Sequence, residues 1–116
     1  MIVNHLAKKI LFVCSENTQR SPTAEDLLRG REGFEALSAG TGVYARRHIS
    51  IDLIDWADFI FVMEEEHKEA IVTIKPEAES KITVLNIPDI YYRNDPILIQ
   101  ILKTRLSKHL QIDWNT

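Results

Sequence analysis

Ile10-Leu11-Phe12-Val13-Cys14-Ser15-Glu16-Asn17-Thr18-Gln19-Arg20-Ser21-Pro22 is the stretch from which the rest of the chain can be read. Its first four residues form a short continuous apolar run, as expected of a strand buried on both faces. Ser21-Pro22 offers an N-cap and a proline at the first helical position, and Ala24, Leu27 and Leu28 follow as an apolar stripe. A strand, a tight loop and a helix N-terminus make an anion cradle, because the loop amides and the helix dipole act on one spot. Cys14 opens that loop, where the same field favours its thiolate. Arg20 can offer a planar fork of donors to a tetrahedral oxyanion. The plain alternative for Cys14 is a buried structural thiol. The loop context and Arg20 favour a nucleophile aimed at a bound phosphoryl group.

Working outward, strands are predicted near Lys9–Val13, Phe34–Ser38, Asp58–Met63 and Lys81–Leu85. Between them lie helices near Ser21–Gly30 and Ser50–Ala57, and one from the acidic run Glu64-Glu65-Glu66 to about Ile74, with acidic residues suited to a first turn. A last helix is predicted over Pro96–Leu110, with Ile97, Ile101, Leu102, Leu106 and Leu110 as its stripe. Strands alternating with helices imply an α/β fold, a parallel four-stranded sheet with helices on both faces. Ligands of such sheets bind beyond the strand carboxyl ends. Cys14 and Asp89 both follow predicted strands, so the fold should bring them to one rim. No repeat, linker or low-complexity segment divides residues 1–116, which read as a single domain.

The Cys-x5-Arg-Ser spacing, placed between strand and helix, resembles the active-site loop of the low-molecular-weight protein tyrosine phosphatases. Ser38-Ala39-Gly40-Thr41 is similar to a segment after that family's second strand, and Ile87-Pro88-Asp89-Ile90-Tyr91-Tyr92-Arg93-Asn94-Asp95 is similar to its acid loop. The resemblance covers nearly the whole chain, which is shorter than typical members chiefly between Thr41 and Asp58. It implies a flavodoxin-like phosphatase architecture and hydrolysis of phosphotyrosine or small aryl phosphates through a phosphocysteine on Cys14, releasing inorganic phosphate. The loop Ser15, Glu16, Asn17, Thr18, Gln19 and Arg20 would hold the phosphoryl oxygens. Ser21 would support the thiolate, or serve as a plain N-cap. Asp89 would be the general acid, and Asp95 is the alternative, although its place before Pro96 suits a helix cap. Tyr44, Tyr91 and Tyr92 resemble the aromatic walls that select flat aryl groups. Three departures stand out. Glu16 occupies a position that is usually glycine, Gln19 one that is often a second cysteine, and Ile90 one that is usually proline.

Composition narrows the rest. The chain has 116 residues, 45% of them hydrophobic, and a formal charge of −3, so no basic field argues for nucleic acid. Cys14 is the only cysteine, which excludes an intrachain disulfide and suits a reducing compartment. No apolar run reaches membrane-spanning length and Met1–His5 lacks a signal pattern, so a cytoplasmic location is expected. His48 and His67 have no cysteine or carboxylate cluster at ligand spacing, so no metal and no cofactor are expected. Two rival readings remain: an arsenate reductase using an external thiol, and a catalytically weak phosphate-binding signalling module.

Overall fold

The computed structural model describes residues 7–115. The expectation for Met1–His5 therefore lies outside the described residues. Four strands, β1 (Lys8–Cys14), β2 (Phe34–Gly40), β3 (Phe59–Val62) and β4 (Ile82–Val84), form one all-parallel sheet in the order β2-β1-β3-β4. The strand order reverses between β1 and β3, the crevice where open parallel sheets bind ligands. The helices are α1 (Arg20–Leu28), α2 (Ile51–Trp56), α3 (Glu65–Ile74) and α4 (Pro96–Leu106).

Central β1 explains its own sequence. Ile10 and Phe12 point to one face, with Ala24 and Leu28 of α1 and Leu98, Leu102 and Leu106 of α4. Leu11 and Val13 point to the other, with Ile54 of α2 and Ile71 of α3. Both faces are covered, so a β-strand of continuous apolar residues is what burial requires. Phe12 and Phe61 stack at 5.9 Å across the β1–β3 pair.

Several boundaries move. Helix α1 starts at Arg20, and its N-cap is Gln19 with no side-chain cap bond. Ser21 is not the cap, because its hydroxyl turns inward to the Cys14 thiol. Pro22 still fits the first turn, where the N–H groups lack helical acceptors. Helix α4 stops at Leu106 rather than Leu110, and Leu110 returns to the core through a turn closed by its N–H on the Leu106 carbonyl oxygen. Its buried stripe is Leu98, Leu102 and Leu106, while Ile97 is 61% exposed. Trp56 is half-buried at the margin of the α2–α3 side. A 3₁₀ turn at Pro76–Lys81, absent from the sequence reading, leads into β4.

Candidate active site

Cys14 ends β1 and Arg20 begins α1, so the loop between them sits at the strand carboxyl ends. The carbonyl oxygens of Cys14, Ser15 and Glu16 accept from the N–H groups of Thr41, Gly42 and Arg46, at 3.0, 2.9 and 3.0 Å. Each trans peptide plane then turns the following N–H the opposite way. Among the described residues, the N–H groups of Ser15, Glu16, Asn17, Thr18 and Gln19 meet no protein acceptor. Backbone donors left unpaired in a cluster make an anion nest.

Asn17 braces that loop from beneath. Its φ is +59°, the left-handed conformation asparagine tolerates, and its buried amide donates to Ser21 Oγ and Ser38 Oγ, both at 2.9 Å. Ser38 in turn donates to Glu25 Oε1. Ser21 Oγ accepts from Asn17, and its own proton has two acceptors in reach, Cys14 Sγ at 2.9 Å and the Ala39 carbonyl oxygen at 3.4 Å. A hydroxyl donating to sulfur stabilises a thiolate. Gly40 is needed for a steric reason: a Cβ there would collide with the Ser15 carbonyl oxygen and stand 3.0 Å from the Asn17 nitrogen. The Ser38-Ala39-Gly40 segment thus supplies a brace and a clearance for the loop.

Arg20 is 1% exposed. Its Nη1 donates to Glu64 Oε2 and to the Ile87 carbonyl oxygen, the latter at 2.7 Å. Its Nε lies 3.7 Å from Asp89 Oδ1. The structure therefore brings Cys14, Arg20, Ser21 and Asp89 together, and Cys14, Glu16, Thr18, Gln19, Arg20 and Asp89 line a pocket of about 210 Å³. Asp95 stands apart as the cap of α4, accepting from the Ile97 N–H at 2.8 Å. The three tyrosines lie outside that lining. Tyr91 is half-buried against the core on the α1 and α4 side of the sheet, and Tyr44 and Tyr92 stand in solvent at 91% and 80% exposure. Among the described residues there is no cluster of three or more metal-ligating side chains.

Sequence reasoning missed two residues at the start of α3. Glu64 holds Arg20, and His67 is fully buried. His67 Nδ1 accepts from the Glu64 N–H at 3.0 Å, so in the neutral ring Nε2 carries the hydrogen and donates to Ser15 Oγ at 2.9 Å. Their only signal was position, just beyond the carboxyl end of β3.

Burial first, and the Arg20 guanidinium second, push His67 below the ordinary histidine value, against the opposing pull of Glu66 and Glu64. As pH falls below about 6.5, the unfolded chain takes up a proton that the folded chain refuses. Stability should therefore fall on acidification by up to about 1.4 kcal/mol per pH unit from this one group. Chemical denaturation at pH 7.5 and pH 5.5 should show a smaller difference for His67→Gln than for wild type.

No protein-family profile matches the chain. The chain is 37% identical over 101 residues to a protein-arginine-phosphatase of Geobacillus stearothermophilus, covering 66% of this chain and 68% of that protein. It is 35% identical over 98 residues to the low molecular weight protein-tyrosine-phosphatase Wzb of Salmonella typhi, covering 64% and 66%. The chain thus aligns with about two thirds of the length of each. The solved structure of the YwlE arginine phosphatase from Geobacillus stearothermophilus superposes with a TM-score of 0.69 at 29% identity, over 90% of this chain and 93% of that one. The identity to these phosphatases, on a chain whose cysteine and buried arginine flank a loop of unpaired amides, shows the family: the chain belongs to the low-molecular-weight protein tyrosine phosphatase family and is a cysteine-dependent phosphatase.

Proposed function

We propose that Cys14 attacks phosphorus in line and forms a phosphocysteine that water then hydrolyses, without a metal ion. The observation that carries this reading is the row of unpaired amides from Ser15 to Gln19 beside the Cys14–Ser21 contact. Those amides and the Arg20 guanidinium hold the three non-bridging oxygens and the charge that grows on them in the transition state. Asp89 protonates the leaving group, because it is the aspartate at the pocket and Asp95 is committed to a helix end. The substrate is a phosphorylated protein, with phosphotyrosine the reading that the acid-loop sequence supports. Among the described residues no helix is long and apolar enough to cross a membrane, and a lone active thiol suits the reducing cytoplasm. Arsenate reduction has less support, since the relatives are phosphatases and the chain has one cysteine. Hydrolysis of p-nitrophenyl phosphate that persists with a chelator and disappears with Cys14 tests the whole reading.

Gln19 has a part in this mechanism. Its side-chain oxygen accepts from the Arg93 N–H, Thr23 Oγ1 accepts from the Asn94 N–H at 2.9 Å, and Asp26 pairs with the Arg93 guanidinium at 2.9 Å. These three contacts latch the loop that follows Asp89 onto α1. Removing one hydrogen bond of about 1 kcal/mol corresponds to roughly fivefold. Gln19→Ala should lose about that factor in kcat on phosphotyrosine, whose leaving group needs a proton, and much less on p-nitrophenyl phosphate. Equal losses on both substrates would show that the latch does not act through Asp89.

A further inference from the structure

Glu16 is the one acidic side chain within the phosphate loop; it is exposed and is one of the residues that line the pocket. Its Oε2 rests 2.5 Å from the point a Cβ on Gly42 would occupy, so the missing side chain at 42 lets the carboxylate lie against the loop after β2. Among the described residues it has no ion pair and no side-chain hydrogen bond. Arg46, whose N–H bonds the Glu16 carbonyl oxygen, sends its Nε to the Asn17 carbonyl oxygen at 3.1 Å instead. Arg93, whose N–H meets the Gln19 side chain, is engaged by Asp26.

The charges at the site therefore do not balance around an incoming anion. The Arg20 guanidinium is already met by Glu64 and by Asp89 at 3.7 Å. The unpaired Glu16 adds a negative charge at the pocket that a phosphoryl dianion would enter. An uncharged aryl group on the phosphate brings nothing to offset it, whereas a cation close to the phosphoryl group does. Among the described residues no aromatic side chain lines the pocket to reward a flat ring.

Resting on the phosphatase reading above, we infer that Glu16 selects substrates whose phosphoryl group is carried on, or sits directly beside, a guanidinium or ammonium group. An N-phosphorylated arginine and a phosphotyrosine flanked by basic residues share that chemistry. Glu16 acts on the approach and seating of the substrate and takes no proton.

The test compares kcat/KM of wild type and Glu16→Gln on four probes: p-nitrophenyl phosphate, a phosphoarginine peptide, and two phosphotyrosine peptides with arginine or glutamate flanks. Glu16→Gln is nearly isosteric at an exposed position, and Glu16→Gly serves as a second variant. Wild type should prefer the cationic probes, and loss of the carboxylate should cut that preference about fivefold while raising turnover of p-nitrophenyl phosphate. Salt near 1 M, where screening acts over about 3 Å, should shrink the wild-type preference and leave that of the variants nearly unchanged. A shift confined to the phosphoarginine arm assigns the cation to the phosphorylated residue itself, and one confined to the arginine-flanked peptide assigns it to the neighbours. A preference that stays within twofold in both variants on both arms overturns the inference and leaves the phosphatase reading standing. Absence of any Cys14-dependent turnover by wild type removes the phosphatase reading, and the inference with it.

Discussion

Cys14→Ser should lower turnover of p-nitrophenyl phosphate by at least about 10³-fold, because a serine hydroxyl is far less acidic than a thiol and has no comparable anionic form. Binding should survive. The donors of the cradle are backbone N–H groups from Ser15 to Gln19, and their orientation is set by carbonyl bonds to Thr41, Gly42 and Arg46 that the substitution leaves untouched. Phosphate or vanadate titrated into the mutant should therefore still protect it against thermal unfolding. The hydroxyl of Ser21, 2.9 Å from sulfur in wild type, has an oxygen to meet in the mutant, so folding should be preserved. Turnover at the wild-type level would remove Cys14 from the mechanism. Lost binding together with lost turnover would mean that the thiol builds the cradle rather than attacking from it.

Asp89→Asn carries the second large effect, about 10² to 10⁴-fold on a substrate with a basic leaving oxygen. A general acid matters most when the departing oxide is a strong base. The mutant should lose more on phosphotyrosine than on p-nitrophenyl phosphate, and its rate should depend more steeply on leaving-group basicity. The basic limb of the pH profile for the chemical step should disappear. Asp95→Asn is the control. Its carboxylate accepts from the Ile97 N–H at the start of α4, so it should cost about 1 kcal/mol of stability, with the leaving-group dependence unchanged. The reverse pattern would make Asp95 the acid, although Asp89 is the one beside Arg20 in the pocket.

The parts of this protein that sequence alone determined are those whose physics is local. Burial on two faces accounts for Ile10–Val13, and alternating elements account for the parallel sheet. Asn17 takes its left-handed turn, and Asp95 with Pro96 opens α4 as a helix start should. The misplaced limits also have local causes. A Ser-Pro pair reads as a cap whether its hydroxyl faces the helix amides or a thiol, and apolar spacing continues past Leu106 although the chain turns there and Leu110 still reaches the core.

Tertiary structure alone decided which groups surround the reacting atoms. Glu64 meets Arg20 from 44 positions away, His67 meets Ser15 from 52, and Ser38 meets Asn17 from 21. Nothing in a run of three glutamates marks the first as the partner of a buried guanidinium, and a histidine on a helix bears no sign of being sealed against a loop. The latch from Gln19 to Arg93 spans 74 positions. It depends on α1 and the loop after β4 reaching the same end of the sheet. Side chains at that rim come from strands adjacent in space and distant in the chain. Periodicity and caps specify each strand and helix, whereas the register and order of a parallel sheet specify their neighbours.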